Sequence, residues 1–231
     1  HHFAIRRQRQ MCIRDSYSDG RSVKSGAIGH VSATSFFPSK NLGCYGDGGA
    51  IFTNDDNLAH SLRGIVNHGM YKRYHHDVVG VNSRLDSIQA AVLNAKLPFL
   101  DSYNRARQIA ATKYNEKLGG IESLKLPVKR CGVSNSNNEV FCHVFHQYTV
   151  RLIDNDRDSL VSYLNSKDIP CGVYYPIPLH RQKAYKMYDY NESDFPITNQ
   201  ISKEVFSLPM HTELDDDQID YITKAVIEFL G

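Results

Sequence analysis

The chain reads as an α/β protein built in two parts. Three observations predict this. β-forming runs at 29–37, 48–54, 139–153 and 169–180 alternate with helical patterns at 55–69, 83–97, 99–120, 156–167, 198–209 and 214–231. Two helical patterns abut at Pro98 and place a boundary between the parts near 98–120. No internal repeat or low-complexity tract suggests a solenoid or a linker.

Each element has a local reason. "GHVSATSFF" (29–37) is rich in β-formers and stops at Pro38, as a buried strand does. "GGAIFTN" (48–54) reads as a second strand, and Asp47-Gly48 is a hairpin signal between the two. "DDNLAHSLRGIVNHG" (55–69) opens on acids and closes on Gly69, with Leu58, Leu62 and Ile65 on one helical face. "SRLDSIQAAVLNAKL" (83–97) sets Leu85, Ile88 and Val92 at helical spacing, and the long pattern 99–120 stops at Gly119-Gly120. "SNSNN" (134–138) is turn-like, and "EVFCHVFHQYTVRLI" (139–153) is a β-rich run. Asp156 is placed to cap the helix 156–167. "IPCGVYYPIPLH" (169–180) reads as a strand broken by prolines into a loop, "TNQISKEVFSLP" (198–209) as a short helix ending before Pro209. In the last helix Ile219, Ile222, Val226 and Phe229 form one stripe, with Gly231 as its cap.

Composition bounds the function classes. At 231 residues the chain holds one large domain or two small ones, and its 41% hydrophobic content is ordinary globular usage. No apolar run approaches the roughly 20 residues that span a bilayer, and no segment resembles a secretory leader. A soluble, cytoplasmic protein is expected. The cysteines, Cys12, Cys44, Cys131, Cys142 and Cys171, are odd in number and form no CxxC pair. That argues against a disulfide framework or zinc ribbon and for free thiols in a reducing compartment. Residues 1–16 hold Arg6, Arg7, Arg9 and Arg14 against Asp15 alone, so the net charge of +2 comes from this leader. A basic arm could meet nucleic acid, but nothing aromatic or repetitive accompanies it.

Five places are candidates for chemistry. Lys40 follows "SFFPS" at the end of a predicted buried strand, where sites gather in α/β sheets, and the glycines after it leave room for a planar ligand. A lysine nucleophile needs a neutral amine, favoured by burial. Ser35 lies five residues upstream, near enough to face the same site. Taken alone, Lys40 reads equally as a surface lysine at a strand end. "GCYGDGG" is not a phosphate loop of Walker type, because no GKS or GKT follows. His68, His75 and His76 fit no metal spacing. Asn82 and Arg84 stand just before or at a helix start, where anions are favoured, or form a cap plus a surface arginine. "VYYPIPLH" sets tyrosines and His180 on a proline-stiffened loop, which can line a site or simply pack.

Together, "SFFPSKNLGCYGDGGAIFTN", "NHG", "GVNSRLDSIQAAVLNAKLPFLD", "VYYPIPLHRQKAY" and "FSLPMHTEL" resemble the DegT/StrS-like sugar aminotransferases, in family order from about Tyr17 to the end. These are pyridoxal-phosphate enzymes of the aspartate aminotransferase fold type. The resemblance implies the C-terminal part of a fold-type I transferase. It would comprise an incomplete large-domain mixed sheet with helices over 17–98, then a linking helix and a small α/β C-terminal domain over 99–231. It assigns Lys40 to the lysine that forms the internal aldimine with pyridoxal 5'-phosphate and shuttles the proton between substrate Cα and cofactor C4′. Ser35 matches the serine that binds the cofactor phosphate. Asn82 matches an asparagine reaching the phosphate in the neighbouring subunit's site, which implies a homodimer. Arg84 and His180 would lie near the substrate. The implied reaction moves an amino group from an amino acid, glutamate by expectation, to a nucleotide-linked keto-sugar, closest in wording to UDP- or dTDP-linked 3-keto sugars.

The resemblance also implies chain before Tyr17, including a phosphate loop, a ring stacked on the cofactor and an aspartate for the pyridine nitrogen. The family pattern puts that aspartate in an EDxAQ-like segment shortly before Tyr17, where this chain has "RRQRQMCIRDS". Asp15 is the only acid there and its neighbours do not match, so the role is not assigned to it. Residues 1–16 are therefore expected to be foreign, as in translated sequencing adapter, and resequencing across the codons for Ser16 and Tyr17 tests this. Without the pyridinium partner and the preceding strands, the 231-residue chain alone is expected to be unstable or inactive. Three rival readings stand beside this one: a pyridoxamine-phosphate-dependent sugar dehydratase relative, a regulator that keeps the fold, and a basic-arm nucleic-acid binder. Dehydratase relatives replace the lysine, which Lys40 argues against, and the nucleic-acid reading depends wholly on the leader.

Overall fold

The computed structural model describes residues 14–16, 22–24, 29–128 and 143–231. Most of the leader, Cys12, Cys131, Cys142 and the stretch 134–138 lie outside the described residues. The chain forms two compact units, His1–Asn104 with Lys129–Val144, and Arg105–Val128 with Phe145–Gly231.

Among the described residues the first unit contains three two-stranded antiparallel sheets. β1 (Arg14–Ser16) pairs with β2 (Ser22–Lys24). β3 (Ser32–Ser35) pairs with β4 (Gly49–Phe52), Ser35 opposite Gly49. Asp55, in extended conformation, accepts from the Asn57 and Leu58 amides and so starts α1 (Asp56–Val66). The chain then turns through His68 (φ 59°) and Gly69 (φ 76°). A side chain at Gly69 would stand 1.7 Å from the Val78 carbonyl, so the turn requires glycine. β5 (Met70–Lys72) and β6 (His75–His76) follow as a small hairpin. α2 (Ser87–Lys96) begins at its cap Asp86, later than the apolar spacing predicts, because the Asp86 carboxylate accepts the Gln89 amide. A 3-10 turn (Leu97–Phe99) takes Pro98 in its first positions, where the missing N–H costs nothing, and leads into α3 (Leu100–Leu118).

This unit buries little of its own apolar surface. Among the described residues its buried hydrophobic side chains are Cys44, Leu93 and Val144, whereas Ile51 and Phe52 on β4 are 45% and 47% exposed. A lone two-stranded sheet is marginal in water without a covering layer.

The second unit has a continuous core. Its sheet runs β7 (Leu124–Lys125), β8 (Tyr148–Leu152), β9 (Val205–Leu208), all antiparallel, with β8 central. Tyr148, Val150 and Leu152 alternate inward, as a half-covered strand dictates. Tyr114 and Leu118 of α3 join this core with Leu160 and Leu164 of α4 (Arg157–Ser166). Ile219, Ile222 and Val226 of α6 (Asp216–Leu230) complete it. Asp156 caps α4 through the Asp158 and Ser159 amides. A reciprocal Asp215–Gln218 capping box starts α6, and Gly231 (φ 86°) ends it.

Two expectations are corrected here. The pattern at 198–209 is not one helix: α5 (Pro196–Glu204) stops at Glu204 and "VFSL" becomes β9. All four β9 residues are buried, and their pairing with β8 outweighs any local helical preference. The run 169–180 is loop, as expected, but holds no strand: among the described residues its ladder contact is the bridge between Gly172 and Ser207, and the Leu179–Arg181 stretch is a 3-10 turn. Pro170, Pro176 and Pro178 remove the amides that a continuing ladder would need.

Candidate active site

Lys40 stands on the loop that joins β3 to β4. β3 ends at Ser35, and Phe36 and Phe37 lead to a turn that opens at Pro38. The loop is closed at its base on the Phe36 peptide. The Phe36 amide donates to the Gly48 carbonyl at 2.7 Å, and the Phe36 carbonyl accepts the Cys44 amide at 2.8 Å. The buried Cys44 thiol adds a bond to the same carbonyl at 2.9 Å and reaches the Gly46 carbonyl at 3.1 Å. Inside this closure the Lys40 amide donates to the Phe37 carbonyl at 2.8 Å. Gly43 lies against that turn so closely that a Cβ would meet the Pro38 carbonyl at 2.5 Å. The result is a half-buried lysine on a loop with little freedom.

Ser35 ends β3, exposed, and its hydroxyl oxygen accepts the Phe37 amide at 3.2 Å. The hydroxyl hydrogen is left to donate elsewhere. Asn82 and Arg84 precede the cap of α2 rather than sitting on the helix. Asn82 is tied to Asn67 by an isolated bridge. The Arg84 guanidinium donates to Asn82 Oδ1 at 3.3 Å and to Asn67 Oδ1 at 3.4 Å. These are long bonds to neutral amides, and among the described residues no carboxylate pairs with Arg84. Asn82 and Arg84 are thus brought into contact with each other. His180 belongs to the second unit, where its ring stacks on Phe195 with centroids 4.4 Å apart and its Nε2 lies 3.0 Å from Asn199 Oδ1. The amide oxygen accepts only, which assigns a proton to Nε2.

A cleft of about 960 Å³ opens in the first unit between the β3–β4 hairpin and α1, lined in part by Thr34, Phe52, Leu62, Arg63 and Arg84. Lys40, Ser35 and Asn82 lie outside its lining, whereas Asp47 and Gly48, at the far end of the lysine loop, are part of it. Sequence reading did not mark three side chains that shape the loop: Cys44, and from α2 Gln89 and Lys96. The one local signal for the last two is their separation of seven residues, two helical turns, which puts them on one face. Among the described residues no group of three or more His, Cys, Asp or Glu could hold a metal ion.

The chain is similar to known proteins. Residues 15–227 match the DegT/DnrJ/EryC1/StrS aminotransferase family. The chain is 42% identical over 201 residues to a UDP-N-acetyl-3-dehydro-alpha-D-glucosamine 3-aminotransferase of Acidithiobacillus ferrooxidans, covering 87% of this chain and 51% of that protein. It is also 42% identical over 204 residues to a pleiotropic regulatory protein of Geobacillus stearothermophilus, covering 88% and 53%. The crystal structure of a DegT DnrJ EryC1 StrS aminotransferase from Brucella abortus superposes with a TM-score of 0.82 at 38% identity, over 97% of this chain and 56% of that one. The chain spans about half the length of the relatives it matches. Its fold is therefore mixed α/β of the fold-type I class, and the chain belongs to the DegT/DnrJ/EryC1/StrS aminotransferase family.

Proposed function

We propose that this chain carries the lysine and part of the cofactor pocket of a pyridoxal 5'-phosphate-dependent aminotransferase acting on nucleotide-linked keto-sugars. The supporting observation is Lys40 itself: a half-buried amine on a loop closed twice on the Phe36 peptide, in a chain of this family. The donor set fits the cofactor. Among the described residues it offers one amine for an aldehyde, a serine hydroxyl with its hydrogen uncommitted, and an asparagine amide beside a guanidinium that no carboxylate neutralises.

When bound, the cofactor supplies the electron sink for reaction at an amino-bearing carbon. Lys40 would hold its aldehyde end and move a proton between the substrate Cα and the cofactor C4′. Ser35 would donate to the phosphate, and Asn82 would do so in the neighbouring subunit's site, making a homodimer the working form. Arg84 and His180 would bind the substrate, the guanidinium by forked bonds to an anionic group. We assign glutamate as amino donor and a UDP- or dTDP-linked 3-keto sugar as acceptor. The relative from Acidithiobacillus ferrooxidans, named for a UDP-linked 3-dehydro sugar, supports that acceptor class. Such substrates place the work in the cytoplasm, and among the described residues no helix is long and apolar enough to cross a membrane. For the 231 residues alone we expect no turnover, since β4 leaves Ile51 and Phe52 uncovered.

The test is reductive labelling. A lysine amine condenses with the cofactor aldehyde, releasing water, and borohydride reduces the resulting C=N bond to a stable pyridoxyl-lysine. Peptide mapping should find Lys40 as the dominant site, and Lys40→Ala should lose that label. Even labelling of surface lysines would contradict the assignment. A second reading, a regulator that keeps the fold, draws on the name of the Geobacillus stearothermophilus relative. Glutamate-dependent amino transfer to a UDP-linked 3-keto sugar by a family-length protein bearing these residues separates the two.

A further inference from the structure

We propose that Gln89 and Lys96 of α2 are positioning residues for Lys40, gripping at two points the loop that carries it. The proposal rests on the reading of Lys40 given above. Gln89 Oε1 accepts from two consecutive loop amides, Tyr45 at 2.7 Å and Gly46 at 3.1 Å. Lys96 Nζ donates to the Gly43 carbonyl at 2.8 Å and lies 4.9 Å from the centre of the Tyr45 ring. The two side chains leave α2 on the same face, about 10 Å apart along its axis. They therefore hold the return arm of the loop, residues 43–46, from both ends. Gly46 keeps the approach close: a Cβ there would stand 3.2 Å from Gln89 Nε2.

A second helix of the same chain shows that this use of Gln89 is not what its sequence dictates locally. α2 and α6 both open with Asp-x-x-Gln, "DSIQ" at 86–89 and "DDDQ" at 215–218. In α6 the pattern closes on itself: the Gln218 side chain accepts the Asp215 amide at 3.2 Å, completing the capping box. In α2 the Asp86 carboxylate still accepts the Gln89 amide, but the Gln89 carbonyl turns outward to Tyr45 and Gly46. A local cap partner has been redirected to a loop 43 residues away in sequence.

The same helix follows directly on the segment that carries Asn82 and Arg84, and Leu85 of that segment lies 3.1 Å from where a Gly48 side chain would begin. α2 is thus the common reference for the lysine loop and for the residues assigned to phosphate and substrate. A carboxylate can reproduce the double acceptance of Gln89, and a methionine cannot, which defines the variants.

The experiment compares the 231-residue chain with Gln89→Met, Gln89→Glu and Lys96→Met. Each is labelled with pyridoxal 5'-phosphate and borohydride, and the Lys40 label is divided by that of Lys203, an exposed lysine on α5. Amide exchange is followed in parallel at Tyr45 and Gly46, with Leu93 inside α2 as the control. Removing the shared acceptor should speed exchange at Tyr45 and Gly46 about tenfold and lower the labelling ratio about tenfold. Gln89→Glu should restore both. Lys96→Met should lower the ratio too, and it decides the matter if Gln89→Met loses the protection of Leu93 and with it the helix. Faster exchange with an unchanged ratio would overturn the proposal, since the clamp would then stabilise the loop without placing the lysine. Unchanged exchange and ratio would overturn it as well. A parent chain with no preference for Lys40 sinks the cofactor reading instead, and the exchange measurement alone then decides whether the clamp holds the loop.

Discussion

Replacing Gly43 by alanine should open the loop that carries Lys40. The new methyl group would sit 2.5 Å from the Pro38 carbonyl oxygen and 2.9 Å from that of Phe37, where ordinary contact begins near 3.4 Å. Both neighbours are backbone, and the Lys40 amide is bonded to one of them, so neither can rotate away as a side chain would. The loop must yield by about 0.9 Å, which for a packed site costs about 1–3 kcal/mol. That favours an opened loop by about 5- to 150-fold. The assay is amide exchange at Cys44, whose bond to the Phe36 carbonyl closes the loop base. Gly120→Ala is the matched control, because nothing lies within 4 Å of a Cβ at that position. Exchange at Cys44 should accelerate at least fivefold in Gly43→Ala and stay at the parent rate in Gly120→Ala. Parent-like exchange in Gly43→Ala would show that the turn is soft, and the argument for a pre-shaped lysine loop would fail.

Two further predictions concern the core of the second unit. Tyr148→Phe removes a 2.5 Å hydrogen bond to Asn115 Oδ1 from a fully buried ring, and urea unfolding should show a loss of about 1 kcal/mol; no loss would mean that water already satisfies Asn115 in both forms. Burial pushes the Cys171 thiol up to about 12 and raises the Tyr114 and Tyr148 phenols from their ordinary values. Each is held protonated in the folded chain while the unfolded chain releases its proton at lower pH. Their contribution is therefore complete below the ordinary thiol range near 9 and declines as pH rises from there toward 12. Urea titrations from pH 8 upward should show falling stability, with a shallower fall in Cys171→Ala; a parallel fall in both would remove Cys171 from the account.

Much of this protein is legible in the residues because much of it is local. Asp55, Asp156 and Asp215 mark helix starts through bonds to amides two or three residues on, so sequence spacing alone places them. The Gly231 cap is legible for the same reason, whereas Asp47-Gly48 forms no two-residue turn, because β3 and β4 are joined by the longer loop 36–48. Tertiary structure decided whatever depends on a distant partner. Val205–Leu208 continues a helical pattern in sequence and becomes a strand because β8 offers a ladder and the core covers both faces. Cys44 becomes the closure of a loop only when the chain returns to Phe36. Gln89 and Gln218 stand in the same local pattern, and what separates them is a pair of unpaired loop amides within reach of one and not the other. A backbone donor must find an acceptor, and which side chain provides it is settled by which elements the fold brings side by side.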